Sequence, residues 1–129
     1  MNQMEKNQTV QMTIPADRAY APVVTLALSG LGMMAGLDVD LLGDLRTAAA
    51  ESLDCLLHQA GIPRTIRISA GVKEGRLCVC FASEERAAGG EADPLGLDIT
   101  RGVLETLMPQ VELTSDCDGV HLIECSMPV

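Results

Sequence analysis

Residues 65–82, Thr65-Ile66-Arg67-Ile68-Ser69-Ala70-Gly71-Val72-Lys73-Glu74-Gly75-Arg76-Leu77-Cys78-Val79-Cys80-Phe81-Ala82, decide the fold class. Polar and apolar side chains alternate from Thr65 to Ala70, the period-two pattern of a strand with one buried face. Lys73-Glu74-Gly75 makes a tight turn, and Arg76 to Ala82 returns as a second strand, which completes a hairpin. On the returning strand Leu77, Val79 and Phe81 share one face, while Cys78, Cys80 and Ala82 share the other. Both faces are apolar, so the strand is predicted to be central in its sheet.

Immediately upstream the period changes from two to three or four. Leu42, Leu45, Ala49, Leu53, Leu56 and Leu57 recur at helical spacing and give one broad buried face. Asp38 or Asp40 is placed to cap this helix, and Gly61 and Pro63 stop it beyond about Gln59. Thr47, Glu51, Cys55 and His58 form a second, more polar line along the same helix. Further upstream, Thr9 to Ile14 alternates and stops at Pro15, which predicts another strand. Asp17 is a natural cap for a first helix that tolerates Pro22 near its start, reaches about Ala35 and ends at Gly36. Residues 1–7 are polar and expected to fray.

Downstream, residues 84–95 are small, charged and carry Gly and Pro, the composition of a loop. A third helix is expected over about Asp98 to Met108. Two strands follow, near Val111 to Thr114 and Val120 to Met127, joined by a turn at Asp116 to Gly119. The order β-α-α-β-β-α-β-β predicts an α/β two-layer sandwich with the helices on one face of a mixed sheet. Residues 1–129 carry neither an internal repeat nor a linker, which argues for a single domain.

Composition narrows the function. Nine basic against eighteen acidic residues leave a net charge of −9, which opposes phosphate backbones and anionic lipid, so direct nucleic-acid and membrane-surface binding are not expected. Tyr20 and Phe81 are the only aromatic residues, so the core is aliphatic and no stacking platform for bases exists. The apolar run from Ala21 to Leu37 is interrupted by Pro22, Gly30, Gly32 and Gly36 and falls short of a membrane span. The first ten residues lack the apolar segment of a secretory signal. Five cysteines, Cys55, Cys78, Cys80, Cys117 and Cys125, are odd in number and lie in core elements. Reduced thiols in a cytoplasmic protein are therefore expected.

Three constellations could carry chemistry. Cys55 and His58 stand at i, i+3 on the second helix, a spacing compatible with a nucleophile–base pair, although an ordinary polar helix face is the simpler reading. Cys78 and Cys80 share one side of a strand and Cys125 lies on a possible neighbour, but the spacing is not that of zinc knuckles, and no metal is expected. Gly89, Gly90 and Gly96 precede the third helix, where backbone N–H groups can meet phosphate. There is no G-x-x-x-x-G-K-[ST] and no strand-borne G-x-G-x-x-G.

Taken in order, Ile14-Pro15-Ala16, Leu26-Ala27-Leu28-Ser29-Gly30, Asp44-Leu45-Arg46-Thr47-Ala48-Ala49-Ala50-Glu51 and Val103-Leu104-Glu105-Thr106-Leu107-Met108 resemble the anti-sigma-factor serine/threonine kinases. The resemblance implies the histidine-kinase-like ATPase fold, use of ATP and Mg²⁺, homodimerisation, and sigma factors or anti-sigma antagonists as partners. It makes Glu51 the general base. The family's Mg²⁺-holding Asn falls at Cys55, its following His at Gln59, and the Asp that reads adenine at Ser83. Its lid is longer than residues 84–95, and its glycines ahead of the last helix align nearer to Asp98 and Thr100 than to Gly96. With these nucleotide positions altered together, the expectation is a regulatory protein that binds partners, with ATP binding and phosphotransfer lost or weak. The alternatives are an active kinase that still uses Glu51 with ATP and Mg²⁺, and a small-ligand sensor on the same fold.

Overall fold

The elements form where turn and capping chemistry permit them. In the computed structural model, which describes residues 9–91 and 96–129, the chain runs through β1 (Val10–Pro15), a 3₁₀ turn (Arg18–Tyr20), α1 (Ala21–Met34), α2 (Val39–Leu57), β2 (Gly61–Ile62), β3 (Thr65–Lys73), β4 (Arg76–Glu84), β5 (Ala87–Ala88), α3 (Gly96–Leu107), β6 (Gln110–Asp116) and β7 (Gly119–Pro128). The expected fraying of residues 1–7 and the stretch 92–95 of the expected loop lie outside the described residues. The expected order lacks the 3₁₀ turn and the two-residue strands β2 and β5, and it starts the third helix two residues late.

Asp38 caps α2, its carboxylate accepting from the Leu41 N–H at 2.9 Å. Asp17 caps the 3₁₀ turn instead of α1, accepting from the Ala19 N–H, and Pro22 sits in the first turn of α1, where its missing N–H has no intrahelical partner to lose. The turn between β3 and β4 has two residues, Glu74 and Gly75, both at positive φ (53° and 73°), between the paired Lys73 and Arg76. This is the primed geometry whose twist matches that of the strands it joins.

The five long strands form one sheet in the order β1-β3-β4-β7-β6, with β4 at the centre. Every pairing in it is antiparallel, which corrects the expected mixed sheet. The reason is connectivity. Two helices separate β1 from β3, so the chain returns to the sheet running the opposite way. A single helix separates β4 from β6, which makes those two strands run alike, but β7 turns back from β6 and inserts between them. The parallel relationship of β4 and β6 is thereby never a hydrogen-bonded pairing.

All three helices cover the face of the sheet that carries Ile66, Ile68, Val72, Leu77, Val79, Phe81, Ile123 and Met127, with Leu45, Ala49, Leu53 and Leu56 of α2 against them. All of these are buried. Val24 and Leu28 of α1 and Leu104 of α3 close the two ends. Arg67, Ser69, Cys78, Cys80 and Glu124 occupy the helix-free face. Among the described residues no helix is long and apolar enough to cross a membrane.

Candidate functional site

The polar line of α2 meets α3 across a cleft of about 650 Å³. Helical spacing sets Glu51, Cys55 and His58 on one side of α2, and the start of α3 brings Gly96 and Thr100 opposite. Asp54 and Glu91 add two more carboxylates, so the described lining contains three acids and neither Lys nor Arg.

The two walls are tied together. The buried Thr100 hydroxyl donates to Glu51 Oε1 at 2.9 Å. Thr100 also lies within hydrogen-bonding reach of Cys55. Burial pushes the Cys55 thiol up from its ordinary value; the Thr100 contact opposes the shift, and the Glu51 and Asp54 carboxylates add to it. Cys55 therefore stays a neutral thiol at physiological pH.

Cys55 and His58 do not act as a pair. His58 is exposed, with Nδ1 2.7 Å from the Asp54 carbonyl and 3.5 Å from the Asp54 carboxylate. The Cys55 sulfur instead accepts from Gln59 Nε2 at 3.6 Å. The other half of that amide is also committed, since Gln59 Nε2 donates to the Cys55 carbonyl at 2.8 Å and Gln59 Oε1 accepts from the Val120 N–H at 3.0 Å. Gly119, at φ +99°, leaves room for this amide, because a Cβ there would lie 2.4 Å from Gln59 Oε1. The Gly61 N–H donates to the Asp118 carbonyl and the Gly90 N–H to the Ala60 carbonyl, which stitches the end of α2 to the β6–β7 turn and to the segment after β5. Arg86 pairs with Asp116 beneath that turn, and this partner holds the Asp116 carboxyl down at about 2, helped by the Asp118 N–H.

Of the sequence-predicted positions, Glu51, Cys55, Gly96 and Thr100 come together in this cleft. Asp98 is exposed in the first turn of α3 and does not line it. Ser83 lies near the end of β4, opposite Ile66 in the ladder and on the helix-covered side. Its Oγ is buried without a hydrogen-bond partner among the described residues. Cys78 and Cys80 share the helix-free face, whereas Cys125 sits beside Val79 and points into the core, so the three thiols do not converge. Sequence reading missed the Gln59 amide bridge; the Asp118-Gly119 pair at a predicted turn was its only visible trace. No protein-family model matches the chain, and no curated protein matches it.

Proposed function

We propose that the chain is a regulatory protein of the anti-sigma-kinase type, on a histidine-kinase-like fold, that works by binding a sigma factor or an anti-sigma antagonist, with ATP binding and phosphotransfer lost or weak. The observation that carries this reading is the Thr100–Glu51 hydrogen bond beside a neutral Cys55 thiol. Glu51 stands where the resemblance puts a general base, and its Oε1 accepts from a buried hydroxyl belonging to the protein itself.

The residues do not fit Mg-ATP. Mg²⁺ takes hard oxygen ligands in near-octahedral array, and a neutral thiol at Cys55 is a poor replacement for an amide oxygen. The described lining offers three carboxylates and no fixed cation to a polyphosphate. No phosphotransfer step is therefore assigned to Glu51. The net charge of −9 suits a basic partner such as a DNA-binding factor.

Calorimetric titration tests both halves. Mg-ATP and Mg-ADP are expected to give no binding in the micromolar range, while a sigma factor or antagonist from the same organism forms a stoichiometric complex. Micromolar nucleotide binding overturns the first half, and failure of every such partner to bind overturns the second.

A further inference from the structure

The helix-free face of the sheet holds a groove of about 600 Å³. Its floor is made largely of small side chains. Cys78 and Cys80 of β4 lie next to each other on it, Cys78 exposed and Cys80 half-buried. On β3 they face only Gly71 and Ser69, which leaves the space above the two thiols open. On β7 Cys80 stands directly opposite Glu124, and Glu124 in turn stands opposite Glu112 of β6. Two thiols and two carboxylates from three strands thus share one patch.

We propose that Cys78 and Cys80, with the Glu124 carboxylate as third ligand, form a site for one divalent cation of the zinc class, Zn²⁺ or Cd²⁺. Geometry selects an ion over a disulfide. A strand advances about 3.3 Å per residue, so the Cβ atoms of residues i and i+2 stand roughly 6.6 Å apart. A disulfide needs Cβ atoms about 3.5–4.5 Å apart. β4 is paired on both sides at Cys78 and Cys80, so it cannot pucker to close that gap without breaking the ladder. Two metal–sulfur bonds of about 2.3 Å, in contrast, bridge sulfurs roughly 3.8 Å apart at a tetrahedral angle. Thiols on one side of a strand reach that separation by rotation about χ1. Cys78 Sγ lies 3.9 Å from the Arg76 carbonyl, a weak contact that such a rotation gives up.

Charge points the same way. Carboxylates directly opposite each other on neighbouring strands repel, and among the described residues neither Glu112 nor Glu124 forms an ion pair. A cation on this row relieves the repulsion. Burial pushes the Cys80 thiol up from its ordinary value, and the Glu124 carboxylate adds to the shift while Arg67 opposes it. The ion displaces both thiol protons to solvent, and the resulting thiolates hold it. Sulfur ligands disfavour Mg²⁺ and Ca²⁺, which take oxygen, whereas a mixed sulfur and carboxylate set suits zinc and its heavier congener.

The turn between β6 and β7 offers a rival. There, ligand atoms of Asp116, Cys117 and Asp118 lie within 4.8 Å of one another. Asp116, however, is already paired with Arg86, which sets a fixed positive charge against that cluster. In the groove, Arg67 is turned toward Glu84 and leaves Glu124 to the thiols. The site departs from the metal-free chain expected on cysteine spacing, because the approach of Glu124 to Cys80 is a tertiary fact. It lies on the opposite face of the sheet from the α2–α3 cleft, so it stands or falls independently of the nucleotide reading.

Titration of the full, reduced chain with Cd²⁺ is the test, read by equilibrium dialysis and by the ultraviolet thiolate-to-metal charge-transfer band. Wild type is expected to take up one ion per chain, displaceable by Zn²⁺. Cys78→Ser and Cys80→Ser should each weaken binding more than about tenfold and diminish the band. Glu124→Gln should weaken binding about tenfold and leave the band in place. All three side chains lie off the helix-covered core, so thermal melts in chelator should stay close to wild type. Cys117→Ser should change neither uptake nor band. Absence of stoichiometric uptake by wild type overturns the proposal. A band that survives both β4 substitutions, or one lost in Cys117→Ser, overturns it by placing the ion elsewhere. One ion per two chains overturns it as well, since the thiols of two molecules would then share the ion.

Discussion

Thr100 and Glu51, forty-nine positions apart, are joined by a 2.9 Å hydrogen bond that ties α3 to α2 across their cleft. Thr100 is buried and its partner is a carboxyl oxygen, so removing the donor leaves that oxygen short of a partner. Thr100→Val keeps the shape and removes the donor, so it should destabilise the protein by about 1–3 kcal/mol. Glu51→Gln keeps an acceptor oxygen and should cost less. Urea unfolding of the two variants checks the ordering, and a larger loss for Glu51→Gln would contradict it.

Gln59 and Gly119 should be coupled. Gly119→Ala brings a methyl group onto Gln59 Oε1 and also strains a backbone at φ +99°. The clash disappears when Gln59 is already Ala, while the strain remains. The double-mutant cycle is therefore expected to show a coupling of about 0.5–3 kcal/mol, with the double variant more stable than the sum of the single losses predicts. Additive losses would show that the amide does not occupy this space.

The core variants Leu45→Ala and Leu56→Ala should each cost about 2–5 kcal/mol, because both side chains are essentially fully buried between α2 and the sheet and leave cavities behind. Denaturant melts within about half a kcal/mol of wild type would contradict this placement.

Cys125 predicts an alkaline limit. Burial, with lesser contributions from Cys80 and Cys78, pushes its thiol up to about 12 from the ordinary 9.0. Between these values the folded state keeps a proton that the unfolded chain has released. Stability should fall as pH rises through that window, by up to about 1.4 kcal/mol per pH unit from this group. Cys125→Ala should be less stable at neutral pH but flatter above about pH 9. Urea midpoints measured under reducing conditions across the window test it, and parallel curves for the two proteins would refute it.

Much of this architecture was legible wherever periodicity ran long enough to reveal a face. The Leu45–Ala49–Leu56 spacing marked the buried side of α2, and the Ile66–Ile68 and Leu77–Val79–Phe81 alternations marked the covered side of the sheet. β2 and β5 were not legible, because Gly61-Ile62 and Ala87-Ala88 are too short to express any period. Strand polarity was misread because adjacency is a tertiary fact: nothing local to Gly119–Pro128 says that it inserts between β4 and β6. At the cleft, Glu51 and Cys55 were visible from helical phase, whereas the Thr100 contact and the Gln59 bridge depend on elements far apart in the chain.

The position of β7 governs the order of assembly. Among the described residues β6 has β7 as its only neighbour in the sheet, and β7 is also the strand that joins β6 to β4. Until β7 is in place, β6 has no hydrogen-bonding partner and the far edge of β4 is open. A nascent chain that has emerged only as far as residue 118 can form the β3–β4 hairpin and the helices, but it cannot close its sheet. Closure joins strands that are distant in sequence, a feature that slows folding. Closure of the sheet thus waits on β7, the strand that inserts between β4 and β6.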